Sequence, residues 1–132
     1  MIAQGTGNFA NDDATDWIYD LTESGGTDVL TEAFSAIDGS DYPELTDACI
    51  ALAAGEVVAA AKGKPSPDLP DEIATWVGNH YKPDSIKKLD KRATKAVKKV
   101  QMKSELRDQW EESDEWHNWQ MAVEGLLKRL QG

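Results

Sequence analysis

The hydrophobic pattern of this chain is helical, and turn-forming residues separate its segments. The first segment repeats apolar side chains every three or four positions, at Ala14, Trp17, Ile18 and Leu21. Asn11 precedes this segment and can cap a helix, while Asp12 and Asp13 then fall in the first turn, where the macrodipole favours acidic side chains. The run Ser24-Gly25-Gly26 ends the segment.

The same reasoning predicts several further helices. The second helix is expected from 27 or 28 to 39, and the third from 41–43 to 62. A short fourth helix begins at 69–72 and a long fifth at 82–84. Ser104 caps a brief sixth helix, and the last spans about 114–130. No segment shows the alternation of a β-strand. We therefore expect one all-α domain over residues 1–132, with six or seven helices around a central alanine-rich helix and short loops.

The fifth and last helices are amphipathic. The apolar stripe of the fifth is Ile86, Leu89, Ala93, Ala96, Val97 and Val100, and six lysines take the opposite side. The stripe of the last helix is Trp116, Trp119, Val123, Leu126, Leu127 and Leu130. We interpret both as surface helices that bury their stripes in a common core.

The third helix is apolar on all sides from Leu45 to Ala61, which is typical of a buried central helix. Gly55 is unfavourable inside a helix, so close packing against a neighbour is expected there. Glu56 interrupts the apolar run and needs hydrogen-bond donors if it is buried. A lysine or arginine, a Trp indole or the turn at 5–8 could supply them, and the sequence leaves open a buried acceptor, a binding or catalytic carboxylate, or simple exposure.

Charge is unevenly distributed along the chain. The net charge is −10, yet residues 82–103 carry nine basic and two acidic residues. Such polarity favours attraction within the fold or a protein partner with complementary patches. It disfavours nucleic acid, because phosphates repel an acidic protein at long range.

The aspartates of the first helix are the main candidates for chemistry. Asp16 lies four residues after Asp12 and three after Asp13, and a divalent cation would relieve the repulsion between these carboxylates. Capping and dipole effects explain first-turn aspartates equally well, and no EF-hand loop is present. No dinucleotide-binding, Walker or nucleophile motif is present either, so we expect no cofactor and assign no catalytic or metal-ligating residue.

Cys49 is the single cysteine, so no intramolecular disulfide can form, and we expect a buried thiol. No apolar run is long enough to span a membrane, and the first residues do not resemble a signal peptide. We therefore expect a cytoplasmic protein without membrane association. The sequence leaves open whether the chain forms a homodimer.

The run Gly-Thr-Gly-Asn-Phe-x-Asn-Asp-Asp-Ala-x-Asp-Trp at 5–17 resembles the opening signature of the bacterial domain-of-unknown-function family 4259. The segment 53–60 is similar to the central Glu-bearing helix of that family, and its later landmarks resemble Leu69-Pro70, Trp76, Ser104-Glu105-Leu106 and Trp110-Glu111-Glu112-Ser113. This chain has Gln4 where the family usually carries Trp before its Gly-x-Gly turn. The resemblance implies no agreed activity, but it favours Asn8, Asn11, Asp12, Asp13, Asp16, Trp17 and Glu56 as binding residues.

Two functions of different classes fit these observations. The first is a non-enzymatic protein-interaction module, an antidote or adaptor that binds another protein through acidic surfaces. The alternative is a small-molecule- or divalent-metal-binding, hydrolase-like protein that gathers the N-terminal aspartates and Glu56 around one cleft. The alternative requires those carboxylates to converge in space.

Overall fold

The computed structural model describes residues 8–9, 11–24, 27–67, 69–79, 86 and 88–131. Within these ranges there are seven helices: α1 Asp12–Ser24, α2 Thr27–Asp38, α3 Leu45–Ala61, α4 Asp71–Asn79, α5 Asp90–Met102, α6 Glu105–Glu111 and α7 Trp116–Gln131. The described residues contain no β-strand. The all-α class predicted from the hydrophobic pattern is therefore confirmed.

Helix α3 is the centre of the molecule, as predicted. Twelve of its 17 residues are buried, and it packs against all six other helices. Because apolar residues occupy all sides of this helix, it is stable only when other helices surround it. The shell comprises the stripes of α1 and α2 on one side and those of α5 and α7 on another.

Gly55 packs closely against side chains of α5 and α7. A Cβ atom at this position would lie 3.1 Å from Val97 Cγ2 and 3.2 Å from Leu126 Cδ2. Both distances are shorter than an ordinary van der Waals contact between carbon atoms. The close packing expected at Gly55 is confirmed.

The predicted stripes of the two amphipathic helices face the core. Ile86 and four residues of α5 are fully buried, while Leu89 is half-buried. The lysines Lys88, Lys91, Lys95 and Lys98 are exposed on the other side. In α7 the stripe is buried from Trp119 to Leu130, with Trp116 half-buried and stacked on Trp119.

The predicted start of the third helix was wrong. Helix α3 begins at Leu45, because Glu44 is extended and Glu105 Oε1 accepts a hydrogen bond from Leu45 N at 2.8 Å. The predicted start of the fifth helix at 82–84 lies outside the described residues. Lys88 and Leu89 form a turn closed by a hydrogen bond from Leu89 N to the Ile86 carbonyl, so the continuous helix starts only at Asp90.

The predicted caps of α1 and α6 are present. Asn11 Oδ1 accepts from Ala14 N at 2.7 Å, and Ser104 Oγ accepts from Arg107 N at 3.0 Å. Each bond satisfies one of the orphan donors in a first helical turn. Gly63, with φ of +83°, follows the last residues of α3 in the left-handed conformation that glycine adopts without penalty.

Candidate functional site

Glu56 is a buried carboxylate with three hydrogen bonds. Its side chain is 3% exposed, and Arg129 of α7 binds both oxygens, with Nη1 2.5 Å from Oε1 and Nη2 3.0 Å from Oε2. Asn8 Nδ2 donates a third bond to Oε2 at 2.7 Å. This bidentate geometry is the strong form of a charge-assisted pair. Glu56 is therefore a buried acceptor, and its donors are an arginine and a side-chain amide.

The carboxylate joins three parts of the chain. Asn8 belongs to the N-terminal turn, Glu56 to α3 and Arg129 to α7, and Arg129 Nη1 also lies 3.4 Å from the Lys64 carbonyl that follows α3. Asn8 is itself buried, and its Oδ1 has no hydrogen-bond partner among the described residues. The cluster of Asn8, Glu56 and Arg129, here called the Glu56 clamp, fastens both ends of the described chain to the central helix.

The N-terminal aspartates lie at a different place on α3. Thr46 Oγ1 donates to Asp13 Oδ2 at 3.5 Å, and Asp12 and Asp16 are exposed on the surface of α1. Burial, with a smaller contribution from the nearby Asp13 carboxylate, raises the pKa of the Cys49 thiol to about 12. Asp13 therefore faces the first turns of α3, near Thr46 and Cys49.

This placement separates the aspartates from the Glu56 clamp. Thr46 and Glu56 are ten residues apart on one helix, which is about 15 Å along its axis. Arg129 draws the Glu56 carboxylate toward Lys64, at the opposite end of α3 from Asp13. Among the residues that the structure describes, no three His, Cys, Asp or Glu side chains converge in a way that could hold a metal ion. Of the predicted site residues, the structure brings Asn8 to Glu56 and leaves the aspartates on α1.

Trp17 is 7% exposed and forms part of the floor of a surface groove of about 280 Å³. The groove lies between α1, α2 and α3, and its apolar lining is Trp17, Val29, Ala33, Ala36 and Ile50. Its polar lining is acidic and takes one residue from each helix: Asp20, Glu32 and Asp47. We call this feature the acidic groove.

The groove belongs to a segment without basic residues, a feature that the search for motifs missed. Residues 1–61 contain twelve acidic residues and no lysine, arginine or histidine, and the first cation of the chain is Lys62. Helices α1 and α2 and the first turn of α3 therefore present a purely acidic set of charges. The signal is visible in the sequence as the position of the first basic residue, but the groove itself exists only where three helices meet.

Comparison with known proteins places the chain in a family. The family model of a domain of unknown function (DUF4259) matches residues 3–122, and the chain belongs to that family. No curated protein and no solved structure matches the chain. In the part of the chain that the structure describes, no helix combines the length and the apolar character needed to cross a membrane.

Proposed function

We propose that this member of the DUF4259 family is a non-enzymatic protein-interaction module, an antidote or adaptor that acts in the cytoplasm and binds a partner protein through its acidic surface. The observation that carries the proposal is the segment 1–61, which contains twelve acidic residues and no lysine, arginine or histidine. All of these acidic side chains except that of the buried Glu56 reach the surface, and such a surface attracts a partner with a positive patch and steers its approach. The same charge repels nucleic acid.

The exposed face of α1 is the centre of this acidic surface. Asp16, Asp20 and Glu23 follow one another at helical spacing and are exposed, and Tyr19 between them is 65% exposed. Tyrosine adds contact area at little entropic cost and is enriched at protein interfaces. Acidic side chains around an exposed aromatic are a combination suited to recognition of a protein.

The hydrolase-like alternative receives less support from the same geometry. Both oxygens of Glu56 accept hydrogen bonds from Arg129 and Asn8, so the carboxylate has little capacity left to act as a base. Asp13 is hydrogen-bonded to Thr46, far along α3 from Glu56. A shared cleft would require these groups to approach one another.

The test is affinity purification of the full chain from the cell that expresses it natively. We expect a stoichiometric partner that is released as the salt concentration rises, because screening weakens exposed charge pairs. The double variant Asp16→Lys, Glu23→Lys should lose the partner. The matched control is the double variant Glu112→Lys, Glu124→Lys, which makes the same change in net charge. Glu112 is exposed directly after α6 and Glu124 is exposed on α7, so this variant should keep the partner. Equal loss in both variants, or no stoichiometric partner, would sink the proposal.

A further inference from the structure

We propose that the acidic groove receives the apolar side chains of a basic amphipathic segment of the partner, whose lysines or arginines then meet the acidic rim. This inference rests on the proposed interaction function and adds the chemistry of the partner and the place where it binds. It makes Trp17, Ala36 and Ile50 contact residues, and Asp20, Glu32 and Asp47 the residues that select for positive charge.

The shape of the groove suits side chains of a helix or an extended peptide. Three helices contribute residues at spacings of three and four, so that each presents one stripe to the groove: 17 and 20 from α1, 29, 32, 33 and 36 from α2, and 47 and 50 from α3. Its volume of about 280 Å³ lies at the lower end of the range of about 300–1,000 Å³ typical of small-molecule sites. A space of this size accommodates one or two apolar side chains.

The rim determines the sign of the partner's charge. Asp20, Glu32 and Asp47 line the groove together with its apolar residues, and the described residues that line it include no lysine, arginine or histidine. Carboxylates such as Glu32 and Asp47 around one depression repel one another, and a cationic side chain on the rim lowers that repulsion. An apolar anchor flanked by lysine or arginine therefore complements the groove, and an acidic segment is excluded.

A separate partner fits the groove better than a second copy of this chain. The basic residues of the chain are concentrated near α5, but Ala93, Ala96, Val97 and Val100 of that helix are fully buried in its own core. Within α5, which is described in full, Met102 is the one large apolar side chain that is exposed. The α5 helix of a second copy thus offers lysines without the apolar stripe that the groove requires.

The experiment measures binding of a fluorescently labelled synthetic peptide to the full chain by anisotropy. The probe carries leucines at i and i+4 with lysines at the flanking positions, and its two controls replace lysine by glutamate or leucine by alanine. We expect saturable binding of the probe alone. Glu32→Lys should weaken it about tenfold, because one attractive pair is replaced by repulsion. Glu124→Lys, with the same change in net charge on α7, should leave binding unchanged.

A second variant keeps the charge and fills the space. Ala36 is exposed at the groove, so Ala36→Phe adds a ring there without disturbing the core, and an unchanged melting temperature verifies the fold. We expect this variant to abolish peptide binding. Binding that survives Ala36→Phe, or equal binding of the glutamate peptide, would overturn the inference. The inference would also be overturned if light scattering showed a concentration-dependent self-association of the chain that Ala36→Phe removes. The occupant of the groove would then be a second copy of this chain.

The two proposals can fail independently. A native partner that is lost on Asp16→Lys, Glu23→Lys but retained by Ala36→Phe would refute the groove as the docking site and leave the interaction function standing. Absence of any charge-dependent partner would refute the interaction function itself.

Discussion

Removal of Arg129 should cost about 3–5 kcal/mol of unfolding free energy, the range observed when one partner of a buried ion pair is lost. In Arg129→Met, the Glu56 carboxylate stays buried and keeps one hydrogen bond, from Asn8, in place of three. Methionine restores much of the apolar contact of the arginine stem, so the loss reports mainly on charge and hydrogen bonding.

The reciprocal variant should be milder. In Glu56→Gln the arginine loses its counter-charge, but the Arg129 side chain is 24% exposed and can turn toward water. Glutamine also keeps one acceptor oxygen, so we expect a loss of about 1–3 kcal/mol. The double variant Glu56→Leu, Arg129→Met replaces the ion pair by apolar side chains. Its loss of unfolding free energy should be at least about 2 kcal/mol smaller than the sum of the losses in the single variants Glu56→Leu and Arg129→Met.

The assay is urea unfolding at neutral pH, followed by tryptophan fluorescence. The control is Arg92→Met, because Arg92 is 42% exposed and lies 3.6 Å from Asp38. Such an exposed pair contributes at most about 1 kcal/mol. If Arg129→Met costs no more than Arg92→Met, or the double variant is additive, the Glu56 clamp does not stabilise the fold.

Three further predictions concern packing, capping and ionisation. Gly55→Ala should lower the free energy of unfolding by up to about 2 kcal/mol, because the cost of overpacking exceeds the gain in helix propensity. Gly125→Ala should raise it by up to about 1 kcal/mol, because the space around a Cβ atom at that position is open. Melting temperatures that shift in the same direction for both variants would contradict this reasoning. Asn11→Ala should cost about 1 kcal/mol through the lost cap, and an unchanged urea midpoint would show that the cap contributes nothing. Burial raises the pKa of Cys49 to about 12, so the unfolded chain ionises first and stability present below about pH 9 should be lost toward pH 12. Urea midpoints at pH 7 and pH 10 should therefore fall more for the parent chain than for Cys49→Ala, and equal shifts would refute the argument.

Features that depend on near neighbours in the chain could be predicted from the sequence. The caps at Asn11 and Ser104 act over three residues, and the central position of α3 follows from its own composition. The start of the third helix, which was predicted wrongly, depends on a distant residue. Leu45 N finds its acceptor on Glu105, 60 residues away, and no local pattern announces that bond.

In the candidate site, too, local features could be predicted from the sequence and long-range contacts could not. That Glu56 needs a donor follows from its apolar surroundings, but the donor is Arg129, 73 residues away, and only the packing of α7 on α3 selects it. Each stripe of the acidic groove can be read from its own helix, since the positions are three or four residues apart. Their junction depends on how α1 and α2 pack across α3, which is tertiary information.

The distribution of charged residues along the chain connects the fold to the proposed function. The segment 1–61 holds twelve acids and no cation, so Glu56 and Asp38 take their partners, Arg129 and Arg92, from the second half of the chain. The whole chain has 24 acidic residues against 14 lysines and arginines, an excess of ten negative charges. This excess holds the surface of α1 and α2 negative and costs some stability through self-repulsion. A basic partner that binds there relieves that repulsion, so binding and stability should be coupled, and the complex should melt at a higher temperature than the free chain.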